Sequence, residues 1–569
     1  MPLEGSGARS EPSWTDVMTR HSVALLRMIT ACLLGIICFA RWPLWAQDGG
    51  ATTVPGLGTL TFPVSISVPA ARQAFVRGVL LLHLFEYPEA AAAFRAAQQL
   101  DAGFAMAYWG EAMTDNHPVW NEQDADAGRT ALLKLGRTPE ERQANARTAR
   151  ERTYVAAVEI LYGTGPKARR DTLYSAAMGR LVRAHPGDDE ARLFYALSLL
   201  GLSQGERSVP AYLHAAAIAE SVLVRNPRHP GASHYLIHAV DDPEHAAMGL
   251  AAARALARTA PDADHAQHMT SHIFVALGRW DDVVAANETA IAVVNGILRR
   301  RNRPPSYCGH YNVWLDYGYV QQGRLADATR LLAHCRDQAR AVPTDTEDPD
   351  PAAYSFITMW SHYLIATGDW SGSVAHWTID PGAGLGSRLA YWFTEGLGAA
   401  QRGDFPAARS ALGELARAQR DIDAWAAESQ DHVEITRARA LKGELEGLIT
   451  GGEGNTDAAL ARLRSAALVE DSMAYAFGPP LVNEPSHELL GAELLRFHRF
   501  GEAVTQYRLA LKRTPRRTAA LLGLARAAAA LGDTALSSRT YAELASIWHR
   551  ADPGQSDVAE ATAYLRRRH

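Results

Sequence analysis

From about Ala70 onward, apolar residues recur every three to four positions in stretches of a dozen or so, separated by short breaks of Gly, Pro and Asp. That spacing gathers the apolar side chains on one stripe of an α-helix. Long alternating runs of β-branched residues, which would read as strands, are missing. Stretches such as FRAAQQL, HAAAIAESVLVR and GLAAARALAR are rich in Ala and Leu, so propensity agrees with the pattern. The predicted fold class is all-α, a succession of helices joined by short connections.

The helices also repeat. Pro227 and Pro261 each end a predicted helix and lie 34 residues apart. The stretch GRWDDVVAANETAIAV (278–293) is echoed by GRLADATRLLAH (323–334), GDWSGSVAHW (368–377) and GDFPAARSALGELA (403–416). Two further units follow, LLGAELLRFHRFGEAVTQYRLALKRTP (489–515) and ALLGLARAAAALGDTALSSRTYAEL (520–544). On these motifs the chain resembles the tetratricopeptide (TPR) repeat family, and in particular its exported bacterial members. The resemblance implies pairs of helices, A and B, stacked in a right-handed superhelical solenoid with a concave groove. It implies a protein, peptide or small ligand as partner, and it implies no particular activity. On this reading an extended segment over 47–66 precedes a TPR-like array over 67–341. An acidic, Pro-containing loop at 342–352 separates it from a second array over 353–475, and C-terminal repeats occupy 476–569. Residues 138–152 (TPEERQANARTARER) read as one solvated helix, and 476–486 as a break in the array.

Charge narrows the partners. Lys and Arg number 57 against 62 Asp and Glu, a net charge of −5, so no excess of cations marks a nucleic-acid surface. Phosphate-binding loops of the GxxxxGK[ST] type are missing, so no nucleotide is expected, and neither GxSxG nor HExxH occurs. Residues 28–40 form an apolar run behind Arg20 and Arg27, the length of a signal-peptide core and too short to span a bilayer. The expectation is a signal peptide over 1–46, with translation better begun at Met18, and a periplasmic or secreted mature protein that meets a membrane only through that segment. The mature chain then keeps only Cys308 and Cys335, a candidate disulfide.

Histidine is unevenly spread: of 21, six fall between His234 and His272. His234 and His238 form one HxxxH, His268 and His272 a second, and the two are offset by 34 residues. Members four apart share a helix face, and equivalent residues of adjacent repeats are neighbours, so the four imidazoles are expected to meet at a common centre. By the resemblance, these positions line the groove, together with His265, His310 and, one unit further, His362. Asp241, Asp242, Glu244, Asp262 and Asp264 are carboxylates close enough in sequence to ligate or orient them. Tyr311, Trp314 and Tyr317 surround His310 and suit a groove that takes a peptide or a ring-bearing ligand. His83, on an apolar helix, reads as a core histidine.

Three readings of the cluster stay open. It can hold a divalent metal (Zn, Cu or Fe), for which imidazole is a good ligand. It can contact a ligand or serve structure without metal, or it can form a pH-sensitive groove. The functional expectation is a binding solenoid with a histidine-rich metal site. The alternatives are a metal-dependent hydrolase or oxygenase using both HxxxH pairs, and a metal-free assembly scaffold.

Overall fold

The computed structural model describes residues 50–203, 207–341, 351–382, 384–429 and 433–567. The expected signal peptide over 1–46 and nearly all of the acidic loop expected at 342–352 lie outside the described residues. The described residues are all-α apart from two short antiparallel hairpins, one pairing Thr52–Val54 with Gly58–Leu60 and one pairing Asn116–His117 with Glu122–Gln123. The first lies within the segment expected to be merely extended. The single helix expected over 138–152 is two, Pro139–Asn145 and Ala149–Leu161. Each begins with a capping box, Thr138 with Glu141 and Thr148 with Glu151, which satisfies the free N–H groups of a new helix start and so divides the charged stretch. Among the described residues no helix is long and apolar enough to cross a membrane.

Helix pairs follow one another through the body, among them Pro230–Ala239 with Ala246–Thr259, Asp264–Ala276 with Trp280–Arg300, and His310–Gln321 with Leu325–Ala341. Consecutive helices pack side by side and next-but-one helices touch, as in a solenoid of TPR-like pairs. The echoed turn has a conformational origin. Gly278, Gly323, Gly368 and Gly403 open the four echoes and all have positive φ, between 61° and 77°. A residue in this left-handed region ends the A helix and turns the chain into the B helix, and glycine has no Cβ to oppose it.

The array does not run straight. The helix Pro69–His83 packs beside Pro230–Ala239, and the first hairpin ties in there, with Thr59 N–H donating to the Arg228 carbonyl (2.9 Å). At the other end, C-terminal helices return to the middle of the chain. Trp280 Nε1 donates to the Arg516 carbonyl (3.0 Å), and Thr518 N–H donates to Gln321 Oε1 (2.9 Å). Arg517, buried, pairs with Glu488 Oε2 (2.8 Å) and donates to the Tyr317 hydroxyl (3.0 Å). One hydrophobic core therefore contains residues from Leu57 to Ala561. The segment between the helix ending at Asp471 and the helix starting at Ser486 crosses the face that carries the histidines. Gly478 lies so close to Trp314 that a Cβ there would come within 2.1 Å of the indole. Phe477 reaches His272, ring centroids 6.1 Å apart.

Candidate metal centre

The clustered histidines sit on three successive A helices. His234 and His238 come from Pro230–Ala239; His265, His268 and His272 from Asp264–Ala276; and His310 begins His310–Gln321. They form two groups of three, not the single four-histidine centre expected. His234, His238 and His265 make one triad, and His268, His272 and His310 the other, with the nitrogens of each triad within 4.8 Å of one another. Each HxxxH pair takes its third member from the first turn of the next A helix. The triads adjoin, with the rings of His238 and His272 6.0 Å apart.

Buttressing contacts set the direction of the lone pairs. His234 Nδ1 lies 2.7 Å from the His83 carbonyl, which can only accept, so His234 carries its proton there and turns a bare Nε2 inward. His268 Nδ1 lies 2.8 Å from Asn287 Oδ1, while Asn287 Nδ2 donates to the Val283 carbonyl (2.9 Å). That second bond orients the amide, so His268 donates from Nδ1 as well. His272 Nδ1 lies 2.6 Å from the buried carboxylate of Asp241. Across the pairs, Nε2 of His234 and His238 are 3.2 Å apart, and so are Nε2 of His268 and His272. In the second pair both Nδ1 atoms are engaged outward, by Asn287 and by Asp241, and the two Nε2 atoms face each other. His238 Nδ1 and His265 Nε2 are buried with no hydrogen-bond partner.

Burial disfavours the charged form of five of these imidazoles. It lowers His234 to about 3, and neighbouring imidazoles add to the shift. His238, His265 and His268 are pushed well below the usual imidazole value for the same reasons, and His310 falls to about 4. A neutral imidazole with its Nδ1–H anchored is the form that ligates a metal.

Phe85 backs the first triad. It holds φ at 61°, a costly conformation for an aromatic residue, and its ring sits 4.3 Å from His234 and 5.6 Å from His238. His83, expected as a core histidine, is fully buried: Nε2 lies 2.7 Å from Glu190 Oε2 and Nδ1 2.8 Å from the Tyr235 hydroxyl. Glu190 also receives His229 Nε2 at 2.9 Å. This His–Glu–His group braces the helix whose last carbonyl fixes His234.

A cavity of about 550 Å³ opens beside both triads. His238, His265, His272 and His310 face it on one side, while Trp120, Tyr311, Trp314 and Phe477 supply aromatic surface. Tyr311 stacks on His268 at 4.5 Å and donates its hydroxyl to Asp264 (3.1 Å). Tyr317 and His362, expected in the groove, do not line it. They lie buried against each other, 5.1 Å apart, where the returning C-terminal repeats cover them through Arg517. Cys308 and Cys335 form a disulfide, Sγ–Sγ 1.99 Å and Cα–Cα 4.9 Å, that pins the approach to His310. The Met-bearing helix Ala105–Met113 is wholly core, and the loop after it delivers Trp120 to the cavity.

Sequence reasoning missed Asn287, Phe85, Glu190 and His229. Asn287 had a signal, a lone amide on the buried stripe of its B helix. Phe85 had none, since nothing local distinguishes a left-handed Phe.

No protein-family model matches the chain, and no curated protein matches it. Among solved structures it is similar to the Cut9–Hcn1 hetero-tetramer of the APC/C, at 10% identity over 95% of this chain and 81% of that one, TM-score 0.31. It is similar to yeast Tom70, at 12% identity over 87% and 95%, TM-score 0.26. It is also similar to a human IFIT1 dimer with m7Gppp-AAAA, at 15% identity over 81% and 89%, TM-score 0.33.

Proposed function

We propose that each triad holds one metal ion, that the metal is copper, and that the pair serves an oxidoreductase acting on a small molecule in the adjoining cavity. The observation that carries this reading is the facing of His268 and His272, whose Nε2 atoms lie 3.2 Å apart while their Nδ1 atoms are engaged by Asn287 and Asp241. A cation between them would take a lone pair from each ring. Six imidazoles without a carboxylate or thiolate among them suit copper better than the hard cations, which prefer oxygen, or iron pairs, which are built with carboxylates. Two one-electron metals match a two-electron oxidation. With copper bound, the two triads would supply a two-electron acceptor for a substrate that also loses two protons, and dioxygen, reduced to water over two such turnovers, would be the terminal oxidant.

A peptide groove fits less well, because the chain's own segment around Phe477 and Gly478 already crosses that face. Export agrees with the reading: the apolar run 28–40 and the Cys308–Cys335 pair both suit an oxidising compartment.

The test is metal analysis of protein loaded with copper and desalted. About two copper ions per chain are expected for the wild type, and less than about a tenth for the His234→Ala/His268→Ala double variant. Wild-type protein that retains less than about a tenth of any metal overturns the proposal. Retention of zinc with no preference for copper overturns the oxidoreductase part.

A further inference from the structure

The walls of the cavity select what enters it. Among the described residues, no ionisable side chain other than histidine and the Tyr311 phenol lines it. In the metal-free protein a charged ligand would leave water and meet no carboxylate, lysine or arginine among the lining side chains, and an unpaired buried charge is costly. The surface is instead apolar and aromatic, with Trp120, Trp314 and Phe477 around Met269 and Ile291. Besides His238 and His265, a third lining residue has a polar atom without a partner: Asn312, buried, has no acceptor for its Nδ2 donor. It lines the same cavity as His272 and His310 of the second triad. The volume falls within the range of pockets that enclose small organic ligands.

We infer that the cavity takes an uncharged phenolic molecule, its ring held among Trp120, Trp314 and Phe477 and its oxygen accepting a hydrogen bond from Asn312. This rests on the metal-site reading only for what happens to the phenol afterwards; the binding itself follows from the walls. A ring in this position has the imidazole face beside it, where a phenol has an oxidisable group to offer.

Calorimetry with para-cresol, para-toluate and cyclohexanol on metal-free protein tests the inference. Para-cresol is expected to bind at least about tenfold more tightly than the other two, and Asn312→Leu to remove about tenfold of its affinity. Trp120→Ala, at a residue 46% exposed and so safe for the fold, is expected to weaken para-cresol and leave cyclohexanol nearly unchanged. Equal binding of para-toluate, or para-cresol affinity indifferent to both substitutions, overturns the inference. Cresol binding by a protein that takes up no metal keeps this inference and sinks the metal centre, while metal uptake without cresol binding does the reverse.

Discussion

His268 and His272 face each other through Nε2 atoms 3.2 Å apart, each held there by an outward bond, to Asn287 and to Asp241. The outward bonds do two things at once: they fix the tautomer and aim the ring. Removing either frees the imidazole to turn its lone pair away. Asp241→Ala and Asn287→Leu are therefore each expected to lower affinity for the second metal by about 10–100-fold. Competition with a chelator measures this, and unchanged affinity in both variants would show that the outward bonds serve the fold alone.

The disulfide couples stability to the same triad. Cys308 and Cys335 close a loop of 27 residues and lie next to His310. Loop-closure entropy assigns such a bridge about 3.5 kcal/mol. Cys308→Ser with Cys335→Ser is expected to lower unfolding free energy by about that amount in urea titrations. It is also expected to loosen the ion bound by His268, His272 and His310 more than its neighbour. Equal loss of both ions would count against a local effect.

The buried pair Arg517–Glu488 locks the returning repeats over Tyr317. Arg517→Met leaves Glu488 buried without its partner, at an expected cost of about 3–5 kcal/mol. Adding Glu488→Leu is expected to recover much of that loss, because the stranded charge goes too. Denaturant midpoints of the two variants check the order, and a double variant less stable than the single one contradicts it.

His362 gives the pH response a sign. Burial holds its imidazole down to about 3, with Arg517 and Arg437 adding to the effect. The unfolded chain takes up this proton near pH 6.5, the folded chain only near 3. Its contribution to stability is thus whole above pH 6.5 and is lost as pH falls from there towards 3. His362→Phe is expected to gain in melting temperature relative to wild type as pH is lowered from about 7 to about 4. A difference that stays constant with pH contradicts the assignment.

The periodic part of this molecule was written in the chain. Helix spacing and the recurring glycine turn follow from local sterics, and the 34-residue offset of the HxxxH pairs follows from counting. His265 and His310 were also readable, as first-turn histidines of A helices. Their grouping was not, because it depends on how far each A helix is displaced from the next. The fates of Tyr317 and His362 were hidden for a related reason: repeat register predicts which face a side chain occupies, and says nothing of distant chain returning to cover it. Phe85 and the Glu190 brace depend on the helix Pro69–His83 lying beside Pro230–Ala239, a neighbourhood separated by some 150 residues.

The helix Asp264–Ala276 contributes to both triads, lending His265 to one and His268 with His272 to the other. It acts as a common rail. If each triad takes an ion as proposed, seating the first would fix the rail's height and rotation, the second would arrive at a site already organised, and loading is expected to be cooperative. The same arrangement would make nuclearity a property of repeat number: duplicating a unit that carries HxxxH and a first-turn histidine would extend the row by one triad, and deleting one would shorten it.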